Sequence, residues 1–306
     1  MNREKRLPPL PRPLDEMARE GRLPHSICLE GEPGSGRTAL AMALAGAVLC
    51  ERSRGEMCGE CLSCRKVLAG AHSDVILVNG REEPERFKVE PLRELRASAY
   101  VGPSEGRAKV FILAEAQLLL RDAQSILLKV IEEPPEDTCF ILTCDNKFRL
   151  LPTILSRVTT VPLRPLTVAD CAALLGERYP KKGAEECREA ALLAAGAPGE
   201  GERILTHPQT AKRARDARCL IEALTARDAY RAIAAAVPHE KTRQEYTLFL
   251  EAALRLSMLP ELREELGLSP GRAALLHRRF QEAAEQNRMY GYLPLLTSLL
   301  CRMTRE

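Results

Sequence analysis

Short runs of apolar and β-branched residues alternate with longer stretches at helical spacing through the first half of the chain. The runs are SICLEG at 26–31, DVILVN at 74–79, KVFILA at 109–114, CFILTC at 139–144 and TTVPL at 159–163. Short apolar runs that alternate with helical patterns are typical of parallel strands connected by helices. The first half therefore predicts an α/β domain with a parallel sheet flanked by helices.

The strand pattern stops after Pro165. From there Ala, Leu, Arg and Glu at helical spacing continue to the end, with breaks at Gly and Pro. A short helical stretch between about 167 and 207 ends in GAPGEGERIL, and a longer helical region follows from about 208. We therefore predict an α/β domain at 1–166, a small helical domain at 167–207 and a larger all-α domain at 208–306.

The overall charge gives little information about partners. Lys and Arg total 45 against 42 for Asp and Glu, a formal charge of +3, so any DNA contact has to be local. The N-terminus is charged and broken by prolines, and no apolar run approaches the length of a membrane span. These features predict a soluble, cytoplasmic protein with no membrane partner.

The sequence GEPGSGRT at 31–38 follows the first predicted strand and leads into an Ala/Leu helix. Gly31, Gly34 and Gly36 allow backbone N–H groups to turn towards an anion, and the helix N-terminus adds positive potential. Thr38 is a candidate magnesium ligand. Arg37 stands where the phosphate-loop pattern has lysine, and a planar guanidinium does not replace a compact ammonium. We predict a degenerate phosphate loop that positions nucleotide poorly; a glycine turn without ligand is the alternative.

A nucleotide hydrolase also needs an acid at the end of a neighbouring strand to hold magnesium. The candidate strand ends in Ala114 and Glu115, where ATPases of the AAA+ type have Asp-Glu. Glu115 is either a residue that polarises water or a solvated side chain at the strand exit. The lysine that contacts phosphate and the aspartate that holds magnesium are both replaced, by Arg37 and Ala114. We therefore predict weak or absent ATP/Mg²⁺ binding and little or no hydrolysis.

Four cysteines, Cys50, Cys58, Cys61 and Cys64, have the spacing C-x7-C-x2-C-x2-C directly after the predicted helix. Four thiolates on a tight turn match tetrahedral zinc, and a site without an open position is structural. An iron–sulfur cluster is the alternative, followed by free thiols. The other seven cysteines are predicted to fill apolar cores: Cys28, Cys139, Cys144, Cys171, Cys187, Cys219 and Cys301.

The segments GRLPHSICLEGEPGSGRT, AHSDVILV, EGRAKVFILAEAQLL, AQSILLKVIEEPPEDTCFILTC and LLPTILSRV, with the cysteines between them, follow one another in a specific order. In this order they resemble bacterial clamp-loader subunits of DNA polymerase III, an AAA+ family, and within it the delta-prime type. The resemblance is dense over residues 20–166 and weak around GAPGEGERIL. In the C-terminal third, the resemblance to clamp-loader subunits consists only of the helical character and a predicted closing leucine-rich helix after Asn287.

The resemblance implies an AAA+ domain with a zinc module, a helical lid and a helical collar for oligomerisation. It also implies a hetero-pentamer with gamma/tau motor subunits and a delta subunit, which loads the sliding clamp onto primed DNA. Arg37 and Ala114 favour the delta-prime type over a motor, and Glu200 stands where a nucleotide-sensing arginine would be looked for. The spacing between the first two cysteines, Cys50 and Cys58, is one residue shorter than the pattern expected for the motor subunits.

Ser156 and Arg157 match the clamp-loader pattern. The resemblance implies that Arg157 acts as an arginine finger on the ATP of a neighbouring subunit, where a guanidinium can bridge developing phosphate charge. The alternative is a surface arginine that caps a helix or pairs with an acid. Two other functions stay open at this point: an active gamma/tau-type ATPase and an unrelated P-loop enzyme such as a kinase.

Overall fold

The structure is a computed structural model of the chain, and it describes residue 8 and residues 10–53 and 55–290, without the side chains of residues 13 and 288–290. The chain divides into two compact units between Arg164 and Pro165. Most of the leucine-rich closing segment predicted after Asn287, with Cys301 in it, lies outside the described residues.

The first unit contains a five-stranded parallel sheet. The strands are β1 (Ser26–Glu30), β2 (Val75–Asn79), β3 (Lys109–Ala114), β4 (Thr138–Cys144) and β5 (Thr159–Pro162), in the order β2-β3-β4-β1-β5. Each strand lies within one or two residues of its predicted run. The parallel sheet predicted from the sequence is thereby confirmed.

Helices flank this sheet and bury it. They are α1 (Arg12–Arg19), α2 (Arg37–Leu49), α3 (Leu62–Ala69), α4 (Val89–Ala99), α5 (Arg121–Glu132) and α6 (Pro152–Leu155). Alternate residues of β3 enter different hydrophobic clusters: Phe111 packs with Phe140 in one, and Ile112 packs with Leu44 of α2 in the other. A strand covered on both sides favours apolar residues throughout, which explains the unbroken apolar run VFILA after Lys109.

The second unit is helical over the described residues 165–290. Its helices are α7 (Val168–Arg178), α8 (Ala184–Leu193), α9 (Pro198–Thr206), α10 (Pro208–Thr225), α11 (Ala229–Ala236), α12 (Arg243–Ser257), α13 (Pro260–Glu265) and α14 (Pro270–Tyr290). One hydrophobic cluster runs from Val168 to Ala284 through both predicted helical domains. The finer division near residue 208 stays a prediction.

One cysteine prediction is wrong. Cys219 on α10 is exposed, because the buried face of this helix runs through Ala217, Leu220 and Ile221 instead. The five other described single cysteines are buried as predicted. Among the described helices, none has a stretch of the length and hydropathy needed to cross a membrane.

Candidate phosphate site and cysteine cluster

The phosphate loop, residues 31–38, joins β1 to α2 at the carboxyl edge of the sheet. Gly34 and Gly36 both have φ of 85°, a left-handed conformation that favours glycine. A Cβ on Gly31 would lie 2.9 Å from Ser35 Oγ and 3.1 Å from Leu163 Cβ. The backbone conformation therefore favours glycine at 34 and 36, close neighbours favour it at 31, and the loop leads into the N-terminus of α2.

Arg37, the first residue of α2, is buried, and its guanidinium does not face open solvent. Its Nη2 donates to Glu115 Oε1 at 2.7 Å, and the two side chains are 4% and 13% exposed. Glu115 follows β3, which is separated from β1 by β4. The arginine of the loop and the acid after β3 thus form one buried ion pair across the end of β4.

Further polar contacts hold Glu115. Arg81 Nη2 lies 3.5 Å from Glu115 Oε2, and Gln117 Nε2 donates to the same oxygen at 2.8 Å. The Glu115 backbone is left-handed, with φ of 61°, and its N–H donates to Thr143 Oγ1 of β4 at 3.1 Å. The alternative that Glu115 is a solvated residue at the strand exit is wrong.

These contacts change what the site can do chemically. A glutamate that accepts hydrogen bonds from Arg37 and Gln117 has its charge balanced within the protein, and Ala114 beside it is fully buried and carries no ligand atom. Within the described residues, Arg37 Nη1 and Ser35 Oγ are buried without a hydrogen-bond partner. The loop therefore keeps donors for an anion, whereas Glu115, the carboxylate that follows β3, is already paired with Arg37.

The cysteine cluster, Cys50, Cys58, Cys61 and Cys64, comes together between the end of α2 and the start of α3. Its four Sγ atoms all lie within 4.8 Å of one another, and Cys58 Sγ is 3.8 Å from Cys64 Sγ. A tetrahedral zinc ion with Zn–S bonds of about 2.3 Å requires sulfur atoms at roughly this separation. The residues can hold a structural metal.

Backbone N–H groups point at three of the sulfur atoms. Cys61 N donates to Cys58 Sγ, Cys64 N to Cys61 Sγ and Ser53 N to Cys50 Sγ, each at 3.4 Å. The bond from Cys61, followed by one from Glu60, lowers the pKa of Cys58 to about 6, whereas burial raises the pKa of Cys64. Hydrogen bonds of this kind favour thiolates, the form that binds metal.

Ser156 and Arg157 lie exposed on the turn after α6. Arg157 Nε is 2.9 Å from Glu132 Oε1 at the end of α5, and Arg157 Nη1 donates to Thr153 O and Ser156 Oγ at 3.1 and 3.0 Å. The Arg157 side chain is 41% exposed. It is held at one place on the surface and remains accessible to another molecule.

Sequence reasoning missed Arg81, Gln117 and Glu132. Arg81 belongs to a segment with no motif, and its role depends on the strand order that brings β2 beside β3. Gln117 lies two residues after Glu115, and nothing in its residue type indicates that it contacts the carboxylate. For the Arg37–Glu115 pair the sequence shows two opposite charges, but it does not show that they meet.

A five-stranded parallel sheet with a glycine loop between β1 and α2 defines a P-loop α/β protein. The chain belongs to the family described as DNA polymerase III, delta subunit, which it matches over residues 8–167. The family predicted from the sequence is confirmed.

Individual relatives agree with this assignment. The chain is 37% identical over 191 residues to DNA polymerase III subunit delta' of Yersinia pestis, covering 60% of this chain and 56% of the relative. It is 36% identical over 138 residues to subunit gamma of Buchnera aphidicola, covering 45% and 37%. The chain thus spans about half the length, or less, of these relatives.

A solved structure supports the fold. A DNA polymerase III gamma subunit-related protein of Thermotoga maritima superposes with a TM-score of 0.51 at 18% identity, over 96% of this chain and 97% of that one. At this identity the likeness concerns the fold alone.

Proposed function

We propose that the chain is a delta-prime-type, non-hydrolysing subunit of a clamp loader, which takes part in loading the sliding clamp onto primed DNA. In this proposal residues 1–166 are the AAA+ domain, 167–207 the lid and 208–306 the collar. Its partners are gamma/tau motor subunits and a delta subunit in a hetero-pentamer. The family match and the relatives named delta' and gamma support this role.

The buried Arg37–Glu115 pair carries the proposal that this subunit does not hydrolyse ATP. A motor needs a free lysine to contact the β and γ phosphates and a carboxylate to hold magnesium. Here the cation and the carboxylate bind each other at 2.7 Å. A nucleotide that entered would have to compete with Glu115 for Arg37, and magnesium would have to compete with Arg37 for Glu115.

Two further assignments belong to this proposal. The cysteine cluster holds one structural zinc ion, which ties the loop after α2 to α3. Arg157 serves the ATP of a neighbouring motor subunit, and its exposed position with only one carboxylate contact among the described residues supports this role.

The test is to purify the chain alone and together with gamma/tau and delta subunits, and to measure ATP hydrolysis and assembly. We expect the isolated chain to hydrolyse ATP no faster than its Thr38→Ala variant, and to co-elute with the other subunits in one complex. Turnover by the isolated chain that disappears in Thr38→Ala would identify an active motor instead. Failure to assemble would exclude a role as a ring member.

A further inference from the structure

A cleft in the second unit, which we call the arginine cleft, lies between the end of α10 and the first half of α14. Its volume is about 250 Å³, and its lining includes Leu224, Arg227, Arg272, Leu275, Leu276 and Arg279. Three of these side chains are guanidinium groups and none is a carboxylate. The lining is therefore cationic with an apolar centre.

Among the described residues, Arg227 and Arg272 of the arginine cleft have no carboxylate contact, whereas Arg279 is paired. Arg272 Nη2 donates to the carbonyl oxygens of Leu224 and Thr225 at 3.4 and 3.2 Å. These neutral acceptors at the end of α10 fix the guanidinium and leave its full charge in place. Arg279 Nη1 lies 3.2 Å from Glu282, a residue outside the lining. Arg227 is exposed and has a left-handed backbone with φ of 59°.

The α14 side of the cleft has a regular pattern. Positions 272, 275, 276 and 279 share one face of the helix, so the two arginines stand about 10 Å apart along it. Between them Leu276 is buried, whereas Leu275 is 38% exposed, a large apolar side chain flanked by cations. The pattern on this surface is cation, apolar, cation.

We propose that the arginine cleft binds an acidic amphipathic helix of a protein partner. Two carboxylates seven residues apart on one helical face have the same spacing of about 10 Å as Arg272 and Arg279, and an apolar side chain between them would cover Leu275. Arginine is enriched among the residues that contribute most to binding at interfaces, and an amphipathic helix binds by laying its apolar face into an apolar groove. A single phosphate group matches the charges less well, because it would leave Leu275 exposed.

The probe is a fluorescein-labelled, alanine-rich helical peptide of about 15 residues, with two glutamates seven positions apart and leucines between them. Its binding to the full chain is measured by fluorescence anisotropy. We expect Arg279→Glu and Arg227→Glu to weaken binding about tenfold or more, because each replaces attraction with repulsion, and Leu275→Ser to weaken it several-fold. Arg227 is exposed, so its variant keeps the test usable if Arg279→Glu fails to fold.

The matched control is Arg278→Glu, an equal charge reversal one position away on α14 and outside the lining of the cleft. It should bind as the unchanged chain does, and a peptide with lysines in place of the glutamates should not bind. Equal weakening by Arg278→Glu would overturn the proposal in favour of non-specific charge attraction. Displacement of the peptide by pyrophosphate together with no effect of Leu275→Ser would show a small-anion site instead. No binding at millimolar peptide would also overturn it.

Discussion

At the scale of single residues, the structure links two departures that the sequence shows separately. Arg37 and Glu115 lie 78 positions apart, and their contact depends on β4 separating β1 from β3. Periodicity and motif spacing report on local structure and carry no information on that strand order. The residue types at the loop could therefore be predicted, but the ion pair that neutralises the loop arginine could not.

The first prediction concerns the stability of this pair. Arg37→Ala leaves the Glu115 carboxylate buried without its main partner, and removing one member of a buried pair costs about 3–5 kcal/mol. We expect the lower end of this range because Arg81 lies 3.5 Å from the other oxygen. The measurement is urea unfolding of the unchanged chain and of Arg37→Ala, which compares their free energies of unfolding.

The double variant Arg37→Met with Glu115→Gln removes both charges and should recover most of that loss. Arg93→Ala is the matched control, because Arg93 and Glu90 form a pair that is 57% and 73% exposed, and its loss should cost less than about 0.5 kcal/mol. A double variant as unstable as Arg37→Ala would show that Arg37 acts through packing and not through Glu115.

At the scale of elements, the sequence predicts the strands better than the faces of the helices. Runs such as KVFILA are buried on both sides, so every position after Lys109 is apolar and the strand can be recognised from composition alone. On α10, Cys219 follows the buried Ala217 and precedes the buried Leu220. A cysteine is compatible with both a core and a surface position. The complete set of buried positions along α10 is needed to place Cys219 on the exposed face of the helix.

The cysteine cluster gives the prediction at this scale. The start of α3 depends on it, since Cys61 is the N-cap and its sulfur accepts the Cys64 N–H. We expect one zinc per chain by elemental analysis, and faster amide exchange across residues 50–69 after chelation, because metal binding contributes local folding energy. Cys61→Ser should lose the metal.

Cys219→Ser is the control for the zinc prediction, because it removes an exposed thiol in the other unit. It should keep the full metal content. Iron in place of zinc, or exchange at residues 50–69 that chelation leaves unchanged, would contradict the prediction of a structural zinc site.

At the scale of the whole chain, the arginine of the phosphate loop and the arginine proposed to serve a neighbouring subunit differ in exposure. Arg37 is buried and paired, whereas Arg157 is exposed. In the second unit Glu200, which stands where the family resemblance implies a nucleotide-sensing arginine, is 14% exposed and contacts Arg255 of α12 at 3.0 Å. This contact connects α9 to α12 by a largely buried ion pair, so Glu200 has a structural role in the second unit.

The last prediction separates two roles for Arg157 in the assembled complex. If Arg157 contacts the neighbour's ATP in the transition state, Arg157→Ala should lower hydrolysis at that site by roughly 10³–10⁵-fold. Arg157→Lys should rescue only part of the loss, because lysine keeps the charge without the planar guanidinium. Hydrolysis is measured with clamp and primed DNA present, after the stoichiometry of each complex has been confirmed.

Glu132→Gln distinguishes this role from a purely structural one. It removes the carboxylate that Arg157 Nε contacts at 2.9 Å but leaves the guanidinium available. If Arg157 serves only that surface pair, Glu132→Gln and Arg157→Ala should behave alike, and neither should change stability by more than about 1 kcal/mol, the upper range for an exposed pair. If Arg157 serves the neighbour, Glu132→Gln should retain hydrolysis that Arg157→Ala loses. Equal turnover by fully assembled complexes of the unchanged chain, Glu132→Gln and Arg157→Ala would show that Arg157 takes no part in the reaction. The chain would then act in the ring only as a structural subunit.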